Sequence, residues 1–205
     1  IITIFKIKTN LLVFIQGAAG SIPWAVFFVF LVDYLAYDIG FSVKNATIVV
    51  SVIGVSAIFG SFFGGVIGNI VFNKNPKFQP LVSGISTLIG TIPTAIIINL
   101  EPGTDLKMIY PIIMGVFSGF FITVTAPNMK AVLMNVNGYK TRGKVFALYN
   151  LADDLGRGFG PVIISFLILA FGRTVAFNIA NGIWIFCAVA LFFMIKTYPV
   201  EQKGT

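Results

Sequence analysis

The sequence predicts an all-α membrane protein built from six transmembrane helices. Hydrophobic residues make up 57% of the 205-residue chain and charged residues only 10%, well under the roughly 25% charged residues of a soluble domain. Mean hydropathy is +0.96, so lipid must be the solvent for most of the surface. Six apolar runs follow one another, each reaching the roughly 20 residues that cross a bilayer as a helix. Lysine and arginine collect in alternate connections between those runs, as they do in multi-pass proteins.

The first run, 11–36, is too long for a signal-peptide core and lacks a small-residue cleavage site, so it reads as a span. It sets Gln16, Gly20, Pro23 and Phe27 on one face, with Ser21 and Trp24 beside it. Pro23 removes a backbone hydrogen bond and should bend the helix, either to work a cavity or to fit the bundle. Gln16 and Trp24 are candidate cavity-lining residues, and Gln16 would bind a polar group of a solute or bond across helices. After Asp38-Ile39-Gly40 comes the second run, 46–72, with Gly60, Gly64 and Gly68 at the spacing that lets helix backbones approach. The turn Asn73-Lys74-Asn75-Pro76-Lys77 leads into the third, 79–100.

The stretch Glu101-Pro102-Gly103-Thr104-Asp105 precedes the fourth run, 108–134. Gly115 and Gly119 repeat the packing spacing, while Thr123, Pro127 and Lys130 share a face. Thr123 and Asn128 are candidate cavity residues. Lys130 reads as snorkelling to the headgroups; pointing inward, it would meet an anionic head group or a gate partner. The fifth run, 145–171, follows Asn135-Val136-Asn137-Gly138-Tyr139-Lys140, and the sixth, 174–196, follows Phe171-Gly172-Arg173 and is nearly all apolar. Runs this long, without alternation, are helices and not barrel strands.

The fifth span carries the chemistry. Wound at about 100° per residue, Asn150, Asp154, Arg157 and Pro161 form one stripe, and Asp153 lies off its centre toward Gly156 and Gly160. Lipid cannot solvate such a stripe, so it must face protein or a water-filled cavity. Asn150 is therefore a cavity candidate, and Asp153, Asp154 and Arg157 are candidates for a gate or for proton coupling. The plainer alternative is an Asp–Arg clamp within the helix at i,i+3 or i,i+4, with Gly156 and Gly160 serving helix packing.

On one side of the membrane lie Lys6, Lys8, Lys74, Lys77, Lys140, Arg142, Lys144, Lys196 and Lys203. The other side holds Lys44, Lys107 and Arg173 beside Asp33, Asp38, Glu101 and Asp105. That bias predicts both ends in the cytoplasm and accounts for the net charge of +7 without nucleic acid. The string Gly138-Tyr139-Lys140-Thr141-Arg142-Gly143-Lys144 fits GxxxxGK, but Val145 stands where Ser or Thr is needed and a helix precedes it where a strand should. Asn45-Ala46-Thr47 is an acceptor sequon close to the membrane on the non-cytoplasmic side. The chain has no histidine and one cysteine, Cys187, so no internal disulfide, metal site or cofactor is expected. An intramembrane enzyme would need Asp153 and Asp154 as its catalytic pair, and neighbours on a helix diverge by about 100°. No catalytic residue is therefore assigned. Ile1 in place of Met leads us to expect a fragment of a longer protein.

Six spans with cytoplasmic ends resemble one half of a major facilitator superfamily transporter. Ala126-Pro127-Asn128, Arg142-Gly143, Asp153-Asp154-Leu155-Gly156 and Gly160-Pro161 resemble the junction of helices ten and eleven in spinster-like members. Gly65-Val66-Ile67-Gly68-Asn69, with Lys74 and Lys77, resembles a worn copy of the superfamily's Gly-xxx-Asp-Arg-x-Gly-Arg-Arg loop, with Asn69 where Asp belongs. That departure suits a C-terminal half and removes the basis for an Asp-based lock. The resemblance implies twelve helices in two halves, a central cavity, and alternating access by rocking of the halves. It further implies that spans one and four line the cavity, two and five flank it, and three and six face lipid. Its partners would be the bilayer, a missing N-terminal half, and a small-molecule or lipid-like substrate, sometimes coupled to protons. The alternative is a non-transporting scaffold subunit or transporter-like receptor.

Overall fold

The computed structural model describes residues 2–101 and 108–202. A short helix, α1 (Ile2–Lys6), leads into α2 (Lys8–Tyr37), α3 (Val43–Lys74), α4 (Phe78–Ile98), α5 (Ile109–Thr123), α6 (Thr125–Val136), α7 (Arg142–Phe171) and α8 (Arg173–Gln202). Helix is the only regular structure among the described residues. Taking α5 and α6 as one span, six helical segments are long and apolar enough to cross a membrane. The turn expected at Pro102-Gly103-Thr104-Asp105 lies outside the described residues, as do Lys107 and Lys203.

Helix boundaries follow local chemistry. Ser42 caps α3, its Oγ accepting from the Asn45 N–H at 3.2 Å, and Gly172 joins α7 to α8 at φ 83, a conformation that favours glycine. The bend expected at Pro23 does not interrupt α2, which runs unbroken through it. The interruption falls instead at Val124, between α5 and α6. Pro127 contributes to it: without an N–H it cannot bond the carbonyl four residues back, that of Thr123. The neighbouring carbonyl of Val124 accepts from the Asn128 side chain at 2.8 Å.

Side-chain ties identify which helix ends lie together. At one end, both Glu201 oxygens accept from the N–H groups of Lys8 and Thr9 at 2.8 Å. There too Asn10 and Asn137 exchange amide bonds at 3.0 and 2.7 Å. At the other end, Arg173 meets Asp38 at 2.8 Å, and the Tyr34 hydroxyl bonds the Ile98 carbonyl at 2.6 Å. The lysine-rich connections therefore share one end of the bundle.

Small residues bring the spans together. Side chains built at Gly60 and Gly64 would strike the Phe120 and Val124 backbone, and one at Gly68 would strike the Asn128 carboxamide. Gly156 and Gly160 lie against Ala18, Ser21 and Ile22 of α2. Two apolar clusters fill the bundle, one around Leu31, Tyr34, Ile97 and Phe177 and the other around Met129, Leu133, Leu191 and Tyr198. The polar site lies between them in sequence along α2 and α8.

Burial is uneven. The most apolar stretch of α4 is 56% buried and that of α8 44%, against 28% for α3 and 17% for α7. The third and sixth spans are thus the best covered in this chain, because α4 turns its hydroxyls onto α5 and α6 and packs against α8. Thr87 bonds Thr125 at 2.8 Å and Thr94 bonds Ser118 at 2.6 Å. The exposed faces of α8 are apolar, with Ile185, Phe186, Val189 and Phe193 outward, as lipid contact requires.

Candidate functional site

A cavity of about 420 Å³ opens among α2, α4, α5, α6, α7 and α8. It takes Gln16, Ser21 and Trp24 from α2, Thr123 and Lys130 from either side of the Val124 break, and Asn150, Asp153, Asp154 and Arg157 from α7. Of the expected cavity, gate and coupling residues, only Asn128 is absent from this lining.

The charged corner holds the Asp–Arg clamp at its i,i+4 alternative, through Asp153 and not through Asp154. Arg157 Nη2 pairs with Asp153 Oδ2 at 2.8 Å, an i,i+4 pair within α7. Asp153 is the more sheltered of the two carboxylates, half-buried on the side of α2 while Asp154 is exposed, and its side chain is 22% exposed. The Ser21 hydroxyl lies 2.8 Å from the Asp153 carbonyl and 3.0 Å from that of Ala18, pinning this turn of α7 to α2. The pin is possible because Gly156 has no side chain to separate the helices. Asp154, Lys130 and Asn150 have no hydrogen-bond or ion-pair partner among the described residues. The Gln16 Oε1 atom is buried without a donor. The site thus holds one closed ion pair, one free carboxylate and one free ammonium.

Aromatic rings form another wall. Trp24 stacks on Phe28 at 5.5 Å and meets Trp184 edge-on at 5.7 Å. Trp184 Nε1 donates to the Gly20 carbonyl at 2.9 Å, and the Cys187 thiol reaches the Gln16 carbonyl at 3.6 Å. Trp184 and Cys187 were missed in the sequence because span six reads as lipid-facing. The signal available was the indole N–H, which needs an acceptor that lipid tails cannot supply.

Two expected residues prove to be ties. Asn128 is buried away from the cavity: its Nδ2 donates to the carbonyls of Gly64 at 3.1 Å and Val124 at 2.8 Å. Its Oδ1 accepts from Gln79 at 3.2 Å. With both ends of the carboxamide engaged against Gly68, Asn128 ties α3, α4 and α6 together and lies outside the lining of this cavity, where it was expected. Thr123 does reach the cavity lining, but its hydroxyl lies 2.9 Å from the Ala57 carbonyl and 2.8 Å from that of Gly119. Lys130 lies exposed and contributes to the cavity lining, the position its inward alternative expects.

A polar cavity with charges of both signs, set between apolar clusters in a membrane-spanning bundle, suits passage or capture of a polar or amphipathic solute. In comparisons with known proteins, the family model described as Major Facilitator Superfamily matches residues 13–205. No curated protein gives a significant match.

Proposed function

Because this chain belongs to the Major Facilitator Superfamily, a family of transporters, we propose that it is the C-terminal six-helix half of a spinster-like secondary transporter. It is a multi-pass integral membrane protein. In this reading residues 1–205 form one unit whose cavity is completed by an N-terminal half, and rocking of the halves exposes a small or lipid-like solute alternately to each side. Asp154 is the free carboxylate that takes up a proton or a ligand group, and the Asp153–Arg157 pair is the clamp beside it. Gln16, Trp24 and Asn150 line the solute's path. The observation that carries this is the set of charges on the least covered helix: Asp154 and Arg157 lie exposed on α7 beside a polar cavity, where lipid cannot serve them.

Proteoliposomes holding the complete protein test it, with and without a pH gradient. Asp154→Asn should abolish gradient-driven uptake while leaving exchange of bound solute intact. Arg157→Gln should slow both modes by about tenfold, since it leaves Asp153 without its partner; that is ~1.4 kcal/mol, below the full cost of an intramembrane charge because Asp153 borders an open polar cavity. Wild-type uptake and pH dependence in both variants would remove the charged corner from the mechanism.

Orientation is a separate expectation. With both ends cytoplasmic, single cysteines at Lys74 and Lys140 in a Cys187→Ala background should be labelled from the cytoplasm, and one at Asp38 from the opposite side. Labelling of positions 74 and 38 from the same side would contradict six crossings.

A further inference from the structure

We propose that a groove at the lysine-rich end, between α1 and the connection joining α6 to α7, holds the headgroup of an anionic phospholipid from the adjacent leaflet. The groove encloses about 350 Å³ and is walled by Ile4 and Ile7 on one side and Val136, Tyr139 and Lys140 on the other. Its walls are fixed from beneath. The Asn10 amide bonds the Ile4 carbonyl at 3.0 Å and Asn137 at 3.0 Å, so α1, α2 and the connection are tied together.

Basic residues gather at the groove. Lys140 lines the groove, and Lys6 and Lys8 flank Ile7 in the sequence. Arg142, just beyond the lining residues, spends its Nε on the carbonyls of Met134 at 3.1 Å and Asn137 at 3.2 Å, which ties it to the connection. Its Nη groups have no hydrogen-bond or ion-pair partner among the described residues, and such a fork suits phosphate oxygens. The carboxylate close by, Glu201, has both oxygens engaged by the Lys8 and Thr9 N–H groups.

Two observations select a lipid over a free anion. The groove walls are largely apolar, which suits a glycerol and upper acyl chain and offers nothing to inorganic phosphate. The groove also lies where the apolar stretches of α2 and α7 begin, beside Tyr139, which is 76% exposed, the placement of an interfacial aromatic residue. Basic side chains at that depth attract anionic headgroups.

Native mass spectrometry tests this on the complete protein, taken from vesicles of equal parts phosphatidylcholine and phosphatidylserine. One phosphatidylserine should be retained in preference to phosphatidylcholine. The Lys6→Gln/Lys140→Gln variant should retain it roughly 25-fold more weakly, about fivefold per cation removed. Lys140→Arg should retain it as the native protein does. Lys74→Gln/Lys77→Gln removes two cations of the same end outside the groove and should change nothing. Equal losses from both double variants would reduce the effect to a diffuse surface field, and no loss from Lys6→Gln/Lys140→Gln would leave the groove without a lipid. Either result overturns the assignment.

Discussion

Reconstituted alone into liposomes, residues 1–205 are expected to give no specific uptake, and co-expression with a complementary six-helix half is expected to restore it. The reason is the coverage of α7. Its most apolar stretch is only 17% buried, and the same helix exposes Asp154 and Arg157 beside the cavity. Facing lipid, a charge at that depth costs at least about 2.5 kcal/mol. Facing water without a second wall, the cavity would have no closed state and so could not present its contents to one side at a time. Specific uptake by the isolated segment, with no partner chain, would show that one set of six helices builds its own gate.

Gly156→Ala should destabilise the protein by about 1–3 kcal/mol, a marked loss of folded protein in a thermal-melt assay in detergent. The added methyl would collide with the Ala18 carbonyl oxygen and Ser21 Oγ, and it would lie 2.9 Å from the Ala18 carbonyl carbon. Backbone cannot rotate away, so α2 and α7 must separate and the Ser21–Asp153 pin must stretch. Gly158, two residues along the same helix, has nothing within 4 Å of an added methyl. Gly158→Ala should therefore stay within about 0.5 kcal/mol of the native protein. Equal behaviour of the two variants would remove close packing as the reason for Gly156. Loss of transport in Gly156→Ala at temperatures where the protein stays folded would tie the same contact to the charged corner.

The all-helical membrane architecture could be read in the sequence because its signal is local: long apolar runs, turn residues between them, and basic residues in alternate connections. Glycine spacing likewise placed Gly60, Gly64, Gly156 and Gly160 at helix contacts without naming the partners. Which carboxylate pairs with Arg157 was not legible. A helical wheel ranks Asp154 above Asp153 by angle, whereas the pairing follows the lean of α7 against Ser21 and Ala18, a tertiary fact. Asn128 misled for a similar reason, since a polar residue in a span is equally suited to a solute or to a carbonyl freed by a neighbouring helix. The break at Val124 was not read either: Pro127 lacks the N–H that the Thr123 carbonyl needs, but Pro23 and Pro161 sit inside unbroken helices, so proline alone did not mark the place. Trp184 and Cys187 were hidden by an apolar span whose outward face is lipid-like and whose inward face is not.

Cysteine accessibility along α7 measures most directly whether its charged stripe faces an aqueous path for the solute. In a Cys187→Ala background that retains transport, single cysteines replace Asn150, Asp154 and Leu169, the last an apolar side chain 84% exposed. A charged, membrane-impermeant thiol reagent is applied with and without solute. Positions 150 and 154 should react and be protected by the solute, while position 169, facing lipid, should stay unreactive. If positions 150 and 154 are as silent as 169, or react with no protection by any transported solute, the stripe does not line a transport path.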